Sequence, residues 1–513
     1  MRFQRRLFGI IPDSPHKHYK NNSLESFIHH SRYCEINSLL VNGLIEAEAK
    51  FLDNPKDFYS LEKTVKSTTE SFSAAFLGEV LSGVNKQIYD CGWRQGRYKV
   101  QRNAKRTIIT SVGDVTFDCT YYKRLTEEGG YVSLLEDMMG LDKHERFSEE
   151  AEVLLLTEAL KTSYQEATRV LPSKQCITKT TVMNKVHQLA EEVAYESAEE
   201  PKQVDYLFVE ADEDHVAEQH GDNSEDNKSF ISKLVYVYEC KQDVEGSKDK
   251  KKLVNSFYFS GLYPGKEGND KLWNNVQDYI NRAYDTEYLK RVFISGDGAS
   301  WIKSGADILD KALFCADKFH LMKYINHAAA QMLDEKDIAK EELWHLLYSK
   351  KPKAKERFEA YTNQMIASAK NPDKVEELKK YVLGNWAAVR RTLRNKLVNG
   401  CSAESHVSHV LSDRLSSRPM GWSQTGADRM SKLRCYERNY GRDGIINLVR
   451  VSREERKLKA TGTDCIPVKE VTLREIRAEH YDQAKSYIDR LQVHIPGLTA
   501  KKTASIRTQL KLL

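Results

Sequence analysis

The sequence predicts an α/β protein built on a mixed β-sheet and interrupted by an all-helical insertion. Two observations carry that reading. Two short apolar runs, Tyr206 to Asp212 and Arg291 to Asp297, each stop on an aspartate. Around them, three strand-like segments come first and helix and strand then alternate, which is the pattern of a mixed sheet covered by helices. A strand that ends on a carboxylate sets a costly charge at the edge of a core, which is unusual unless something positive such as a metal ion sits there.

The 513 residues exceed one average domain and leave ample length for a core. A net charge of +5 permits nucleic-acid binding without requiring it. The basic start at residues 1–6 precedes an apolar stretch, Leu7 to Ile11, too short for a signal-peptide core. No apolar window reaches the length of a membrane span. Nine cysteines lie scattered without a CxxC pair, which fits reduced thiols in a cytoplasmic protein and argues against a zinc ribbon.

Residues 1–104 read as an N-terminal helical region, with Ile36, Leu39, Leu40, Leu44 and Ala47 on one face and Phe72, Phe76, Val80 and Val84 on another. Residues 105–147 form a small β-hairpin region around Gly113-Asp114, whose basic and aromatic end suits either a nucleic-acid surface or solvent. Residues 148–200 carry a short helix at 162–171, a turn with Pro172-Ser173, and a helix from Thr178. This is either a helix-turn-helix or an ordinary helical hairpin. As the former, it presents Lys179, Thr180, Thr181, Asn184 and Lys185 to a major groove.

After an acidic linker at 196–203, residues 204–332 hold the sheet: strands 206–212, 233–240 and 253–262, a helix, strand 291–297, a helix, strand 312–317, and a helix from His320. This order matches a ribonuclease-H-like mixed sheet, with the strands of Asp212 and Asp297 as neighbours. A lysine-rich loop, Lys248 to Lys252, lies within it and has no clear role. Residues 333–398 are charged and purely helical, residues 399–428 open a helix at Glu404, and residues 429–513 are rich in arginine, including Arg429 and Arg434.

Phosphodiester cleavage needs an activated water or hydroxyl, charge neutralisation on phosphate, and help for the leaving oxygen, which two divalent ions supply. Magnesium takes oxygen ligands and keeps waters, so a few carboxylates suffice. Asp212 has a rival in Asp214 on the same strand face. Asp297 before Gly298 also reads as a turn or helix-cap signal. His320 and Trp422 each have two readings, a substrate contact or plain packing. His406 and His409 share a helical face but lack a third zinc ligand.

The blocks Val209 to Val216, Ile294 to Gly298, Ala316 to His320, Cys401 to His409 and Arg418 to Ser423 resemble bacterial insertion-sequence transposases of the aspartate-aspartate-glutamate class. More closely, the chain resembles the ISLre group, whose catalytic core is similar to that of Mutator-like transposases. The likeness spans nearly the whole chain. It implies Asp212, Asp297 and Glu404 as metal ligands and His320 as a catalytic residue that orients the scissile phosphate or donates a hydrogen bond. It also implies Mg²⁺, with Mn²⁺ able to substitute. The reaction implied is cleavage at terminal inverted repeats and transfer of the 3′-hydroxyl ends to target DNA. Trp422 would stack on a displaced base and Arg429 and Arg434 would contact phosphate. Double-stranded DNA is then the partner. A homodimer on DNA is expected because two ends must be brought together, and the location is cytoplasmic and nucleoid-associated on DNA. A related nuclease and a catalytically silent DNA-binding descendant are the competing functions.

Overall fold

The computed structural model describes residues 23–125, 130–142, 144–190, 200–219, 228–246, 251–398, 400–418 and 420–461. The basic and apolar segments at 1–11, residues 196–199 of the linker at 196–203, Lys248 and Lys250, Pro419 and the tail beyond 461 lie outside them. The chain divides into two compact units: Met1–Ala151 with Leu171–Cys176 and Lys457–Leu513, and Glu152–Val170 with Ile177–Arg456.

In the first unit, α1 (Ser23–Asp53) and α2 (Phe58–Asp90) form a helical hairpin. Asp57 starts α2 by accepting a hydrogen bond from Ser60 N at 3.0 Å. The hairpin β1 (Tyr98–Thr110) and β2 (Gly113–Arg124) follows, with β3 (Tyr131–Val132) and α3 (Leu134–Met138). Asn85 of α2 bridges to Thr120 through both its amide atoms, at 3.1 and 3.0 Å, above a core of Ile88, Val115, Phe117 and Tyr122. Of the apolar face anticipated on α1, Ile36 and Ala47 are buried and Leu39 and Leu44 are exposed.

Three helices lead towards the main sheet: α4 (Glu149–Ala159), α5 (Tyr164–Ala167) and α6 (Lys179–His187). Thr178 caps α6 by accepting from Thr181 N at 3.2 Å. Residues 168–178 between α5 and α6 make a connection longer than the tight turn the sequence suggested.

The second unit holds a five-stranded mixed sheet. Its strands are β4 (Tyr206–Ala217) and β5 (Ser229–Tyr238), then, after a small hairpin of β6 (Cys240–Asp243) and β7 (Lys251–Val254), β8 (Phe257–Gly261). The helix α7 (Gly265–Ala283) leads to β9 (Arg291–Gly296), and α8 (Ser300–Ile308) to β10 (Ala312–Ala316). The spatial order is β10-β9-β4-β5-β8, with β4, β5 and β8 antiparallel and β9 and β10 parallel to β4. Three boundaries differ from the sequence reading, and the strand expected at 233–240 runs from Ser229 to Tyr238. The strand expected at 253–262 is broken, because its first residues pair with β6 and only Phe257–Gly261 joins the sheet. The strand of Asp212 does not end there but continues to Ala217, since β5 pairs with it along its whole length.

Leu207, Val209 and Ala211 of β4 face a core with Val235, Val292, Ile294, Trp273, Val276 and Ile302. Period-two alternation sends Glu210, Asp212 and Asp214 to the other face. The helices α9 (Lys318–Ala329), α10 (Lys336–Tyr348), α11 (Ala354–Ser368), α12 (Pro372–Gly384) and α13 (Trp386–Arg394) form the helical segment, and its core is continuous with that of the sheet. Then come α14 (Ala403–Val407), a π-helical turn at Ser408–Ser412, α15 (Asp413–Leu415) and the long α16 (Gln424–Thr461), kinked at Gly441.

Helix side chains cover both sheet edges. Thr392 of α13 donates to Ala316 O of β10 at 2.7 Å. On β8, Asn439 of α16 acts as a surrogate strand residue, accepting from Tyr258 N and donating to Tyr258 O, both at 2.8 Å. Asp428 takes Leu262 N at 3.0 Å. These contacts occupy edge groups that a strand of another chain would otherwise pair with.

Gly305 of α8 lies against the Trp273 indole, and a Cβ there would come within 2.6 Å of two ring atoms. The indole cannot retreat, because it is fully buried and donates to Trp301 O at 2.8 Å. Gly305→Ala is therefore expected to lower the thermal midpoint despite its gain in helix propensity, at a cost of about 1–3 kcal/mol. Differential scanning fluorimetry checks this; an unchanged or raised midpoint would refute the packing argument.

Candidate metal-binding and catalytic site

Every pair between β4 and β9, from Tyr206 with Arg291 to Glu210 with Ser295, keeps one offset, 291 − 206 = 295 − 210 = 85. Carried two residues further, that register levels Asp212 with Asp297. The β9–β10 pairing keeps an offset of 316 − 296 = 20, which levels Asp297 with Asp317, and Asp317 N donates to Gly296 O at 2.9 Å. Three aspartates therefore stand in a row where the parallel strands β9 and β10 end and β4 runs on.

Each aspartate has a different setting. Asp212 Oδ1 accepts from the following backbone N–H, that of Glu213, at 2.9 Å. Burial pushes its carboxyl up to about 6, against the pull of that hydrogen bond, and the negative charge of Asp297 adds to the rise. Asp297 Oδ1 accepts from Ala299 N at 2.8 Å, so the turn-forming role read from the sequence is present. Gly298 beside it has φ +97° and lies against Asn385 of the helical segment. Asp317 is buried, caps α9 through Phe319 N at 2.9 Å, and holds His320 Nδ1 at 2.7 Å. That hydrogen bond raises the pKa of His320 against the effect of burial, helped by the charges of Asp317, Asp297 and Asp212.

Asp214 is separated from this row by its partners. It is buried and accepts from Ser416 Oγ at 2.9 Å, behind the turn that follows α15. Asp212, not Asp214, faces Asp297 and His320.

Glu404 lies on α14, which packs against β4. The residue is exposed. Among the described residues no three His, Cys, Asp or Glu side chains gather closely enough to hold an ion. The structure thus brings Asp212 and Asp297 together, with His320 and Asp317, and leaves the Glu404 side chain outside the group. Two adjoining carboxylates, one with its ionisation suppressed by the other and by burial, suit a hard divalent cation that takes its remaining oxygens from water and substrate.

The residues predicted to touch DNA divide. Lys179, Thr180 and Asn184 are exposed on α6. Thr181 is half-buried, and its hydroxyl is 3.0 Å from that of Thr178. Lys185 is buried and pairs with Glu152 at 3.1 Å, where Arg453 also binds at 2.7 Å. It belongs to the interior, because α6 buries the face that carries Val182, Lys185 and Val186.

Trp422 is buried and cannot stack on a base. Its ring meets Tyr164 edge-on at 5.9 Å and the Arg414 guanidinium at 4.7 Å, and its backbone pairs with Ala217 and Gln219 at the end of β4. Arg434 is spent on backbone carbonyls, donating to Leu160 O at 2.6 Å, to His409 O at 2.8 Å and to Val410 O. Arg429 is half-buried, with its charge next to His187. His406 packs against Tyr236 with ring centroids 4.5 Å apart, and burial pushes its pKa down to about 4.

Sequence reading missed two residues. Glu210 is almost fully buried and collects donors from three segments. Burial alone would raise its pKa, but Lys241 and the tyrosine hydroxyls hold it below the usual carboxylate range. The alternation of β4 already set it on the face of Asp212. Tyr381 of α12 stacks on Tyr324 at 4.6 Å, and its pKa rises through burial and the charges of Asp317 and Asp297. No motif marks it.

The model of the uncharacterised protein family UPF0236 matches residues 51–454. The chain belongs to this family. One UPF0236 protein of Caldanaerobacter subterraneus subsp. tengcongensis is 30% identical over 391 residues, covering 76% of this chain and 80% of its own, and its name joins eleven gene loci. Another from the same organism, whose name joins four loci, is 29% identical over 401 residues, covering 78% and 81% of the two chains. The Drosophila P element transposase strand transfer complex aligns over 72% of this chain and 91% of that one, at 12% identity and a TM-score of 0.19, too low to define a common fold. None of the described helices is long and apolar enough to cross a membrane.

The raised pKa of Asp212 has a signed consequence. Its folded value of about 6 exceeds the ordinary aspartate value of 3.8, so the folded state binds more protons between the two and ionisation costs stability as pH rises. In metal-free buffer Asp212→Asn should raise the thermal midpoint at pH 7.5, and the gain should vanish near pH 4. Thermal scans with chelator at both pH values test this; a lowered midpoint at pH 7.5 would contradict it.

Proposed function

We propose that this chain is a metal-dependent DNA transposase of the aspartate-aspartate-glutamate class with a ribonuclease-H-like catalytic sheet. The observation that carries the reading is the level placement of Asp212 and Asp297 at the junction of an antiparallel and a parallel half-sheet, with His320 beside them. The strand order supports it, since three antiparallel strands followed by two parallel ones is the arrangement anticipated for that fold. The relatives support it independently. One protein at eleven loci of a single genome, and another at four, is what a self-copying DNA element leaves behind.

Asp212 and Asp297 would hold Mg²⁺ or Mn²⁺, with Glu404 as the third ligand from the helix packed against β4. When bound, such ions activate the attacking water or 3′-hydroxyl and stabilise the leaving oxygen. The chain's own contribution is positional and electrostatic. The β4–β9 register fixes the two carboxylates. Asp317 orients the His320 ring and favours its protonated form, which places positive charge beside the carboxylates where a phosphate would approach. Lys179, Thr180 and Asn184 offer donors for double-stranded DNA, the terminal repeats and the target, on the exposed side of α6. Joining two ends requires two protomers, so the working form on DNA is a homodimer.

The test is incubation of the intact protein and Asp297→Asn with Mg²⁺ and DNA bearing the terminal inverted repeats of the element. Cleavage and strand joining are expected from the intact protein and a loss of at least about a hundredfold from the variant. Equal activity of the two would remove Asp297 from the reaction. Cleavage without joining would make the protein a nuclease, and binding of the ends without cleavage would make it a silent DNA-binding descendant.

A further inference from the structure

We propose that Glu210 is a positioning residue that ties the Glu404 segment across the strand of Asp212. The inference rests on the proposed function for its catalytic consequence and on geometry alone for the tie. Glu210 precedes Asp212 by two residues on the same face of β4. Its Oε2 accepts from Ser402 N at 2.6 Å, from Ser402 Oγ at 2.9 Å and from the Tyr236 hydroxyl. Its Oε1 accepts from Tyr238 Oη at 2.6 Å and pairs with Lys241 Nζ at 2.7 Å. Lys241 also donates to Gly400 O at 3.0 Å, so the backbone is held on both sides of Cys401. Ser402 directly precedes α14, and Glu404 is the second residue of that helix.

The far end of α14 is fixed to Tyr236 as well, and to Tyr258. His406 packs on Tyr236, and its Nδ1 lies 3.1 Å from Tyr258 Oη. One carboxylate, 1% exposed, therefore gathers β5, β6 and the loop before α14 onto β4. A buried carboxylate is costly, and an apolar residue at this position would pack the sheet as well. What the carboxylate adds is direction, because only a hydrogen-bond acceptor can fix where Ser402, and with it Glu404, meets the strand of Asp212.

Full-length Glu210→Gln tests this through hydrogen–deuterium exchange, Mn²⁺ binding and the kinetics of terminal-repeat cleavage. Amides at 400–407 should exchange about tenfold faster or more while those of β9 and α7 stay protected. Mn²⁺ affinity and kcat should each fall by about 10- to 100-fold, with KM for DNA unchanged. Unchanged exchange at 400–407 overturns the proposal, as does loosening of the whole sheet or a loosened segment with Mn²⁺ affinity intact. If the intact protein cleaves no DNA, the transposase reading fails, and exchange with Mn²⁺ binding still decides the tie. Should Glu210→Gln not fold, Ser402→Ala removes one donor and is expected to give the same pattern at roughly three- to tenfold.

Discussion

The parallel pairing of β4 with β9 is the constraint on which the site depends. A β-sheet allows neighbouring residues only discrete alignments, and a slip by one residue would turn Asp297 to the opposite face. The pairing stops at Glu210 with Ser295, while β4 continues beside β5. Asp212 therefore lies one pleat beyond the last paired residue, where no strand among the described residues covers its β9 side. Asp297, at the same level, lies past the end of β9 and closes the turn before α8 by accepting from Ala299 N. Neither carboxylate can move far from the other without breaking the apolar packing of Val209 against Ile294 beneath them.

The helical segment is part of the same structure and not an appendage. Thr392 of α13 binds the last carbonyl of β10, and Asn385, between α12 and α13, lies against Gly298 next to Asp297. Its core residues Leu343, Phe358, Leu378 and Val389 join the cluster that includes Val209 and Ile294. The cost of a long excursion between Asp297 and Glu404 is thus offset by burial against the sheet, and the excursion places Tyr381 near the carboxylate row.

Most of the sheet was legible because its strands are short, apolar and bounded by clear breaks. Asp212 and Asp297 were legible because a charge directly after such a run is rare. The reading went wrong where tertiary pairing overrides local pattern. Asp212 ends the apolar run but not the strand, since β5 supplies Lys233, Ser232 and Ile231 as partners for the polar residues that follow. The segment at 253–262 looked continuous because nothing local shows that Val254 pairs with Cys240 while Phe257 pairs with Val237. Asp214 could be told from Asp212 only by its distant partner, Ser416.

The basic residues show most sharply why charge alone is a poor guide to a DNA surface. Arg434 donates to His409 O and Val410 O within the π-helical turn, where the wider winding leaves carbonyls without their usual helical donors. Arg414 is buried under Tyr164 and Trp422 and binds Ala159 O at 2.9 Å; burial pushes its pKa down to about 10. Lys185 and Arg453 share the single carboxylate of Glu152. A guanidinium suits such duty because it presents several donors in one plane and keeps its charge when desolvated. These cations hold α4, α6, the π-helical turn, α15 and α16 in place, so the positive charge available to a polyanion is what remains on exposed faces such as that of Lys179. The π-helical turn that Arg434 stabilises follows α14 directly, which sends Val410 and Leu411 into the interior while His406 stays on the tyrosines of β5 and β8. The segment bearing Glu404 is thereby held from both ends, by Glu210 before it and by the arginine-capped turn after it.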